Sequence, residues 1–317
     1  MGNPMQLHLI RRAGLALATV VVVSVIVFLL VHASPTTPGT VAIGIGGTPE
    51  QVEEYNRSIG WYDPLPLQYL RWLGGVLVGD FGVSVTDGRP IAADIAQKLP
   101  VTASIAAGAT ILSAVVGILL GVTAAVRGRG VDRVVSGVVG VAASIPAFWL
   151  GIVLIFLLAV QLGLLPATGY VPFEISPADW AASLVLPVLT LAIGAGAFIA
   201  RQARASMREA LAQDFIRTLR ATGMPRWRIL YVHALRFASL PIIASITLQF
   251  IAVFSGSVVI EQLFAMPGLG YATQVAVVQA DAASVQALVV VATVVVVVVN
   301  LVLEAATKFL DPKLRTS

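Results

Sequence analysis

Apolar runs of roughly membrane-spanning length recur along the chain, each closed by a polar stretch: residues 13–31, 103–126, 134–160, 184–200, 240–260 and 284–303. A helix needs about 20 predominantly apolar residues to cross the hydrocarbon core of a bilayer, and each run is near that length. The pattern predicts six membrane helices. Pro146 falls in the middle of the third run, where its missing N–H and ring clash predict a kink or break. The first run admits a second reading as a cleaved signal peptide, with Val31, His32 and Ala33 as the processing site. A signal core is about 7 to 15 residues and this run is longer, so we read it as a retained helix.

The polar stretches differ in charge. Residues 33–100 carry Glu50, Glu53, Glu54, Asp63, Asp80, Asp87 and Asp94 against Arg57, Arg71, Arg89 and Lys98. Within them Leu67, Tyr69, Leu70, Trp72 and Leu73 make a short aromatic-rich amphipathic piece suited to a membrane interface. Residues 201–241 have the opposite bias: Arg201, Arg204, Arg208, Arg217, Arg220, Arg226, Arg228 and Arg236 face only Glu209 and Asp214. Leu211, Phe215, Ile216 and Leu219 recur there at helical spacing, Gly223 and Pro225 stop that helix, and a second begins near Trp227. Arg127, Arg129 and Arg133 close the second run with only Asp132 opposing, whereas residues 161–183 bear only Glu174 and Asp179. The positive-inside rule then puts both termini in the cytoplasm and residues 33–100 and 261–284 outside. Three regions follow: 1–32, tail and first helix; 33–100, an outer segment; 101–317, a core of five helices with a basic loop at 201–240 and an outer turn at 261–284.

Composition narrows the class. Of 317 residues 58% are hydrophobic and 11% charged, against about 25% charged in soluble domains. The expectation is an all-α polytopic membrane protein. The net charge of +4 does not point to nucleic acid, because the basic residues sit in loops between spans. There is no cysteine, so disulfides and thiolate chemistry are excluded. The three histidines, His8, His32 and His233, form no triad or metal-ligand pattern, and no acid is expected to be buried mid-span. Lys98, Lys308 and Lys313 are the only lysines and none follows a glycine, so no phosphate-binding GxxxxGK[ST] loop is present. Any ATP and magnesium are therefore expected on another chain.

Polar residues inside spans leave two roles open. Ser144 either satisfies carbonyls freed by Pro146 or lines a pathway, and Ser245, Thr247, Gln249, Ser255 and Ser257 either join helices or face a pathway. Gly194 and Gly196 read as close-packing positions.

Residues Asp214, Phe215, Arg217, Thr218, Arg220, Ala221 and Gly223, followed by His233, Ala234, Leu235, Arg236, Leu240 and Pro241, fit the pattern D[FY]xRTARAKG…HALRNALLP. In them the basic loop resembles the EAA-type loop of ABC importer permeases of the oligopeptide, dipeptide and nickel family. The resemblance extends to other segments. Pro64, Pro66, Gln68, Tyr69, Gly79, Asp80, Gly82, Ser84, Leu99 and Pro100 carry it in the outer segment. Ser144, Pro146, Phe148, Trp149, Leu150, Gly151, Leu165, Pro166, Gly169 and Tyr170 match SIPxFWLGxxL…LGxLPxxGY. Glu261, Phe264, Pro267, Gly268 and Gly270 match ExxFxxPGxG, and Leu310, Asp311, Pro312, Leu314 and Arg315 match the ending LDPRxR. Leu219 departs from the family's usual small residue and Thr222 from its usual lysine.

The resemblance implies a type I ABC importer permease fold in a prokaryotic inner membrane, working in a complex. That complex holds a second homologous permease subunit, two cytoplasmic ATPase subunits and an extracytoplasmic substrate-binding protein that delivers a peptide or related small solute. It further implies an ATPase-coupling segment made of Asp214, Phe215, Arg217, Thr218, Leu219, Arg220, Ala221, Gly223, Met224 and Trp227. Glu261, Phe264, Pro267, Gly268 and Gly270, with Ser144 and Gln249, become candidates for the outer mouth and substrate path. Two other classes account for less of the sequence. A secondary transporter calls for an acidic or histidine relay within the spans, and only Glu304 at a span end is available. A membrane-anchored sensor or scaffold leaves the matching polar segments unexplained.

Overall fold

The computed structural model describes residues 4–310. The expected match at Asp311, Pro312, Leu314 and Arg315 lies outside the described residues, as does the side chain of Lys308. Thirteen α-helices run in the order α1 Pro4–His32, α2 Pro38–Ile43, α3 Pro49–Ser58, α4 Leu65–Leu77, α5 Ile91–Val126, α6 Arg129–Ser144, α7 Ala147–Leu154, α8 Pro177–Ala212, α9 Asp214–Ala221, α10 Arg226–Arg228, α11 Leu235–Leu263, α12 Leu269–Val278 and α13 Ala282–Leu310. Two π-helical turns continue α7 (Ile155–Gln161) and join α10 to α11 (Ile229–Ala234). The only extended pairing among the described residues is an isolated bridge between Val83 and Pro90.

Among the described residues five helical stretches are long and apolar enough to cross a membrane: Arg11–His32, Ile91–Val126, Pro177–Ala212, Arg226–Leu263 and Ala282–Ala305. The sixth expected span, residues 134–160, is instead a pair, α6 and α7 with its π turn, bent by 98°. The cause is local. Pro146 disfavours helical geometry in the residue before it, and Ile145 is extended at φ −86°, ψ 124°, as is Pro146 itself at ψ 133°. The second and fourth spans also overrun their apolar runs, since polar residues continue a helix once its backbone ladder is established.

The chain forms two compact units. The first comprises residues 1–101 and 267–299. In it α4 lies against α1 through a polar and aromatic contact set. The Tyr69 and Ser24 hydroxyls lie 2.8 Å apart, Gln68 Oε1 is 3.0 Å from His32 Nε2, and Trp61 stacks on His32 at 4.2 Å. These contacts turn Leu67, Leu70 and Leu77 outward, the face expected of an interfacial helix. Buried Asn56 ties α3 to α2 by accepting from Gly39 N at 2.7 Å and donating to Thr37 Oγ1 at 2.9 Å. A small core of Ile91, Ile95, Leu269, Ala272, Ala276, Ala287 and Leu288 joins the start of α5 to α12 and α13.

The second unit comprises residues 102–266 and 300–317. Its centre is the α8–α11 pair, flanked by α6 and α7 and approached by the second half of α5. On α5, Gly117 and Gly121 sit one turn apart, and a Cβ on either would fall 2.8 Å from Gly196 O or 2.5 Å from Ala200 O. Small residues at this spacing let helix backbones meet where lipid offers no hydrophobic drive. Around that contact Val122, Ala203, Met207, Ala210, Ile216, Ile229, Ala234, Ala238 and Ile242 form a buried core.

Candidate functional site

The basic loop is rigidly built. Gln213 leaves helical geometry at ψ 148° and ends α8; Asp214 then opens α9. Ile216 is fully buried in the core just described, and Leu219 and Met224 pack half-buried against it. The helix stops in a Schellman motif: Gly223 N donates to Arg220 O at 3.1 Å and Met224 N to Leu219 O at 3.2 Å. Gly223 takes φ +77°, where a side chain is strained even though the space around it is open. Pro225 sets the first turn of α10, and the π turn feeds α11.

What α9 presents outward is Arg217, Thr218, Arg220 and Ala221, with Trp227 at 62% exposure just beyond. Phe215 is partly exposed and packs on Phe237 at 5.7 Å. The apolar residues of the segment thus split into two sets. Ile216, which helical spacing alone did not distinguish from its neighbours, anchors the helix; Phe215 and Trp227 remain available. Asp214 pairs with Arg217 at 3.3 Å. Beneath the loop Asp132 of α6 accepts from Arg204 at 2.9 Å and pairs with Arg208 at 2.7 Å, both on α8. The only sequence signal for this contact is one acid in an otherwise basic loop.

The outer-turn candidates are less alike than their shared motif suggests. Glu261 is fully buried, accepting from Thr102 Oγ1 at 2.7 Å and Ser257 Oγ at 3.2 Å. An acid is therefore enclosed in the last turn of α11, just past the apolar run 240–260; two hydroxyls make that burial tolerable. Phe264 is also buried, its carbonyl accepting from Gly169 N at 2.9 Å. The left-handed residue of this turn is Ala265, φ +50°, whereas Gly268 is the extended N-cap of α12 and Gly270 lies inside that helix. The irregular stretch accordingly runs from Phe264 to Gly268 and ends before Gly270. Pro267 lines a cavity of about 270 Å³ of mixed character, with Arg89, Asp94 and Lys98 beside Tyr271, Val275 and Leu288.

Inside the spans, Ser144 donates to Gly140 O at 2.9 Å while staying exposed. Ser245 and Ser257 are buried and bond carbonyls of their own helix, at Ile242 and Phe254. Gln249 is half-buried and Ser255 exposed.

The fold is that of a type I ABC importer permease. It matches the inward-facing MetNI methionine ABC transporter with a TM-score of 0.56 at 20% identity, over 69% of this chain and 96% of the other. The chain belongs to the family of binding-protein-dependent transport system inner membrane components, which it matches over residues 117–316, with the family's N-terminal component over residues 5–106. It is 35% identical to the "Probable peptide ABC transporter permease protein y4tP" of Sinorhizobium fredii over 98% of this chain and all of that one. The oligopeptide transport permease AppB of Bacillus subtilis is 33% identical over 98% of this chain, and the dipeptide transport permease DppB of Escherichia coli 32% over 97%. This is a multi-pass inner membrane protein of an ABC importer.

Proposed function

We propose that this chain forms half of a translocation pathway for dipeptides or oligopeptides, paired with a second homologous permease. An extracytoplasmic binding protein delivers the substrate and two cytoplasmic ATPase subunits hold the ATP and magnesium. Near-full-length similarity to permeases named for peptides supports the substrate class. Both termini and the basic loop face the cytoplasm, by the positive-inside rule.

The observation that carries the coupling role is the burial of Ile216 among residues of α5, α8 and α11. A ligand shifts a conformational equilibrium only through differential contact with its states. Here α9 is packed on three long helices by one face and offers Phe215, Arg217 and Arg220 on the other, so closure of an ATPase pair moves α9 and those helices together. The spans then open outward, and hydrolysis returns them inward.

Gly223→Val tests this. A β-branched side chain at φ +77° costs about 1 kcal/mol or more and reorients the α9–α10 junction. The expected result is normal membrane abundance, loss of ATPase co-purification and loss of uptake. Normal uptake with the ATPase still bound sinks the coupling role.

A further inference from the structure

Within the first unit, at the outer ends of α5 and α13, the cavity that Pro267 lines carries charge of both signs. Its wall comes from the loop between Ser84 and Arg89, the first two turns of α5, one face of α12 and the start of α13. Asp281 fixes the loop in place. That residue is 2% exposed and accepts from Ser284 N at 3.2 Å and Ser284 Oγ at 2.8 Å at the start of α13. On the loop it accepts from Ser84 Oγ at 2.6 Å, Val85 N at 3.3 Å and Thr86 Oγ1 at 3.4 Å. These donors are hydroxyls and amides, so they orient the carboxylate without cancelling its charge.

Two ion pairs complete the wall. Arg89 Nε donates to Asp87 Oδ2 at 2.7 Å, and Lys98 pairs with Asp94 one turn earlier on α5. The side chains of the second pair are 22% and 24% exposed, which leaves them less screened than a surface pair. Three carboxylates against two cations leave the cavity with one negative charge in excess. Beside these charges Ile91, Val275 and Leu288 supply apolar lining.

Such a wall discriminates among occupants. An anion meets the excess of carboxylates, and a bare cation gains nothing from Arg89 and Lys98. A neutral apolar molecule takes water from both ion pairs and returns no hydrogen bond. A small zwitterion satisfies both signs: its ammonium replaces a cation at the carboxylates, and its own carboxylate accepts from the cation so released. The volume, about 270 Å³, corresponds to roughly nine waters at about 30 Å³ each, the scale of a dipeptide and not of a protein segment.

We propose that this cavity binds the two charged termini of a short peptide, Asp94 and Asp87 facing the ammonium, Lys98 and Arg89 the carboxylate, and Val275 and Leu288 the side chains. This names the chemistry of a peptide site on the outer side of the pathway and rests on the peptide reading above; the test separates the two.

The permease and ATPase subunits are assembled in nanodiscs containing phosphatidylethanolamine, with the binding protein left out so that it does no selecting. A photoreactive phenylalanine analogue stands in place of Val275, and the complex is irradiated with radiolabelled Ala-Ala. The expected result is a labelled permease, competed by unlabelled Ala-Ala and not by the same dipeptide acetylated and amidated at its ends. The double variant Asp94→Asn, Lys98→Gln lowers labelling about tenfold or more at unchanged recovery of the complex. Equal competition by the end-blocked dipeptide overturns the proposal, as does undiminished labelling of the double variant. A phosphatidylethanolamine adduct at residue 275 in place of the peptide adduct also overturns it. The competition arm keeps both ion pairs, so it decides the matter even where the double variant fails to assemble. ATP-driven uptake of Ala-Ala by the complete transporter separates the readings. Uptake without labelling overturns the cavity site alone, and labelling without uptake overturns the peptide pathway while the site stands.

Discussion

Ala265 and Ala280 occupy positions where glycine is the usual choice. The stop that ends α9 at Gly223 recurs at Gly60 and Gly79, and again at Ala265 and Ala280, with φ +50° and +54° at the two alanines. Left-handed geometry costs an L-residue about 1 to 2 kcal/mol. Ala280→Gly should therefore raise the thermal midpoint of the purified protein, and a lowered midpoint would show that unfolded-chain entropy dominates instead. Strain of this kind is invisible in sequence, because alanine is unremarkable in any helix. Gly223 was legible because glycine followed closely by proline is a stop signal in itself.

The same limit applies to charge. Arg89 beside Asp87 holds that carboxyl at about 2, below its ordinary 3.8. A depressed folded pKa means the pair's contribution is complete above the unfolded value and is lost only as pH falls from about 4 toward 2. Asp87→Asn should thus leave the pH dependence of stability unchanged between about pH 5 and 8. A change in that window, followed by thermal unfolding, would assign the loop around Asp87 a different titrating group.

At the scale of elements, spans were legible because bilayer thickness acts as a length filter on apolar runs, and Pro146 marked its own break. What the filter cannot supply is which helix meets which. The α5–α8 contact depends on Gly117 and Gly121 meeting Gly196 and Ala200, and GILLG alone names no partner. Gly121→Leu places side-chain atoms where Ala200 O and Ala203 Cβ already stand, at 2.5 and 2.7 Å from the Cβ position. Overpacking at this scale costs about 1 to 3 kcal/mol. The expected outcome is a lower thermal midpoint and reduced membrane abundance. Gly194→Leu, which meets nothing within 4 Å, serves as the control and should change neither.

For the whole molecule, topology is the property sequence states most directly, through loop charge. Single cysteines in this cysteine-free chain should react with an impermeant maleimide from outside at residues 45 and 279, and at residue 220 only after permeabilisation. Outside labelling at 220 inverts the orientation. The buried polar contacts were not legible for a shared reason: Glu261 with Thr102 and Asp132 with Arg204 join residues far apart in sequence. The family resemblance made Glu261 a candidate for the outer mouth, and only packing shows that its side chain is enclosed.

The bent pair α6–α7 has a consequence for biogenesis. Neither α6, 16 residues, nor α7 with its π turn, 8 and 7 residues, reaches the length of about 20 that inserts as a free-standing span. The arginine that secures Asp132 lies 72 residues downstream. At bacterial synthesis rates of about 5 to 20 residues per second, it leaves the ribosome on the order of 4 to 14 s later. For that interval the pair is an incompletely anchored insertion intermediate, which the arrival of α8 completes. Ribosomes stalled before and after residue 208 should therefore differ in reagent access to a cysteine at residue 136, open in the shorter nascent chain and closed in the longer.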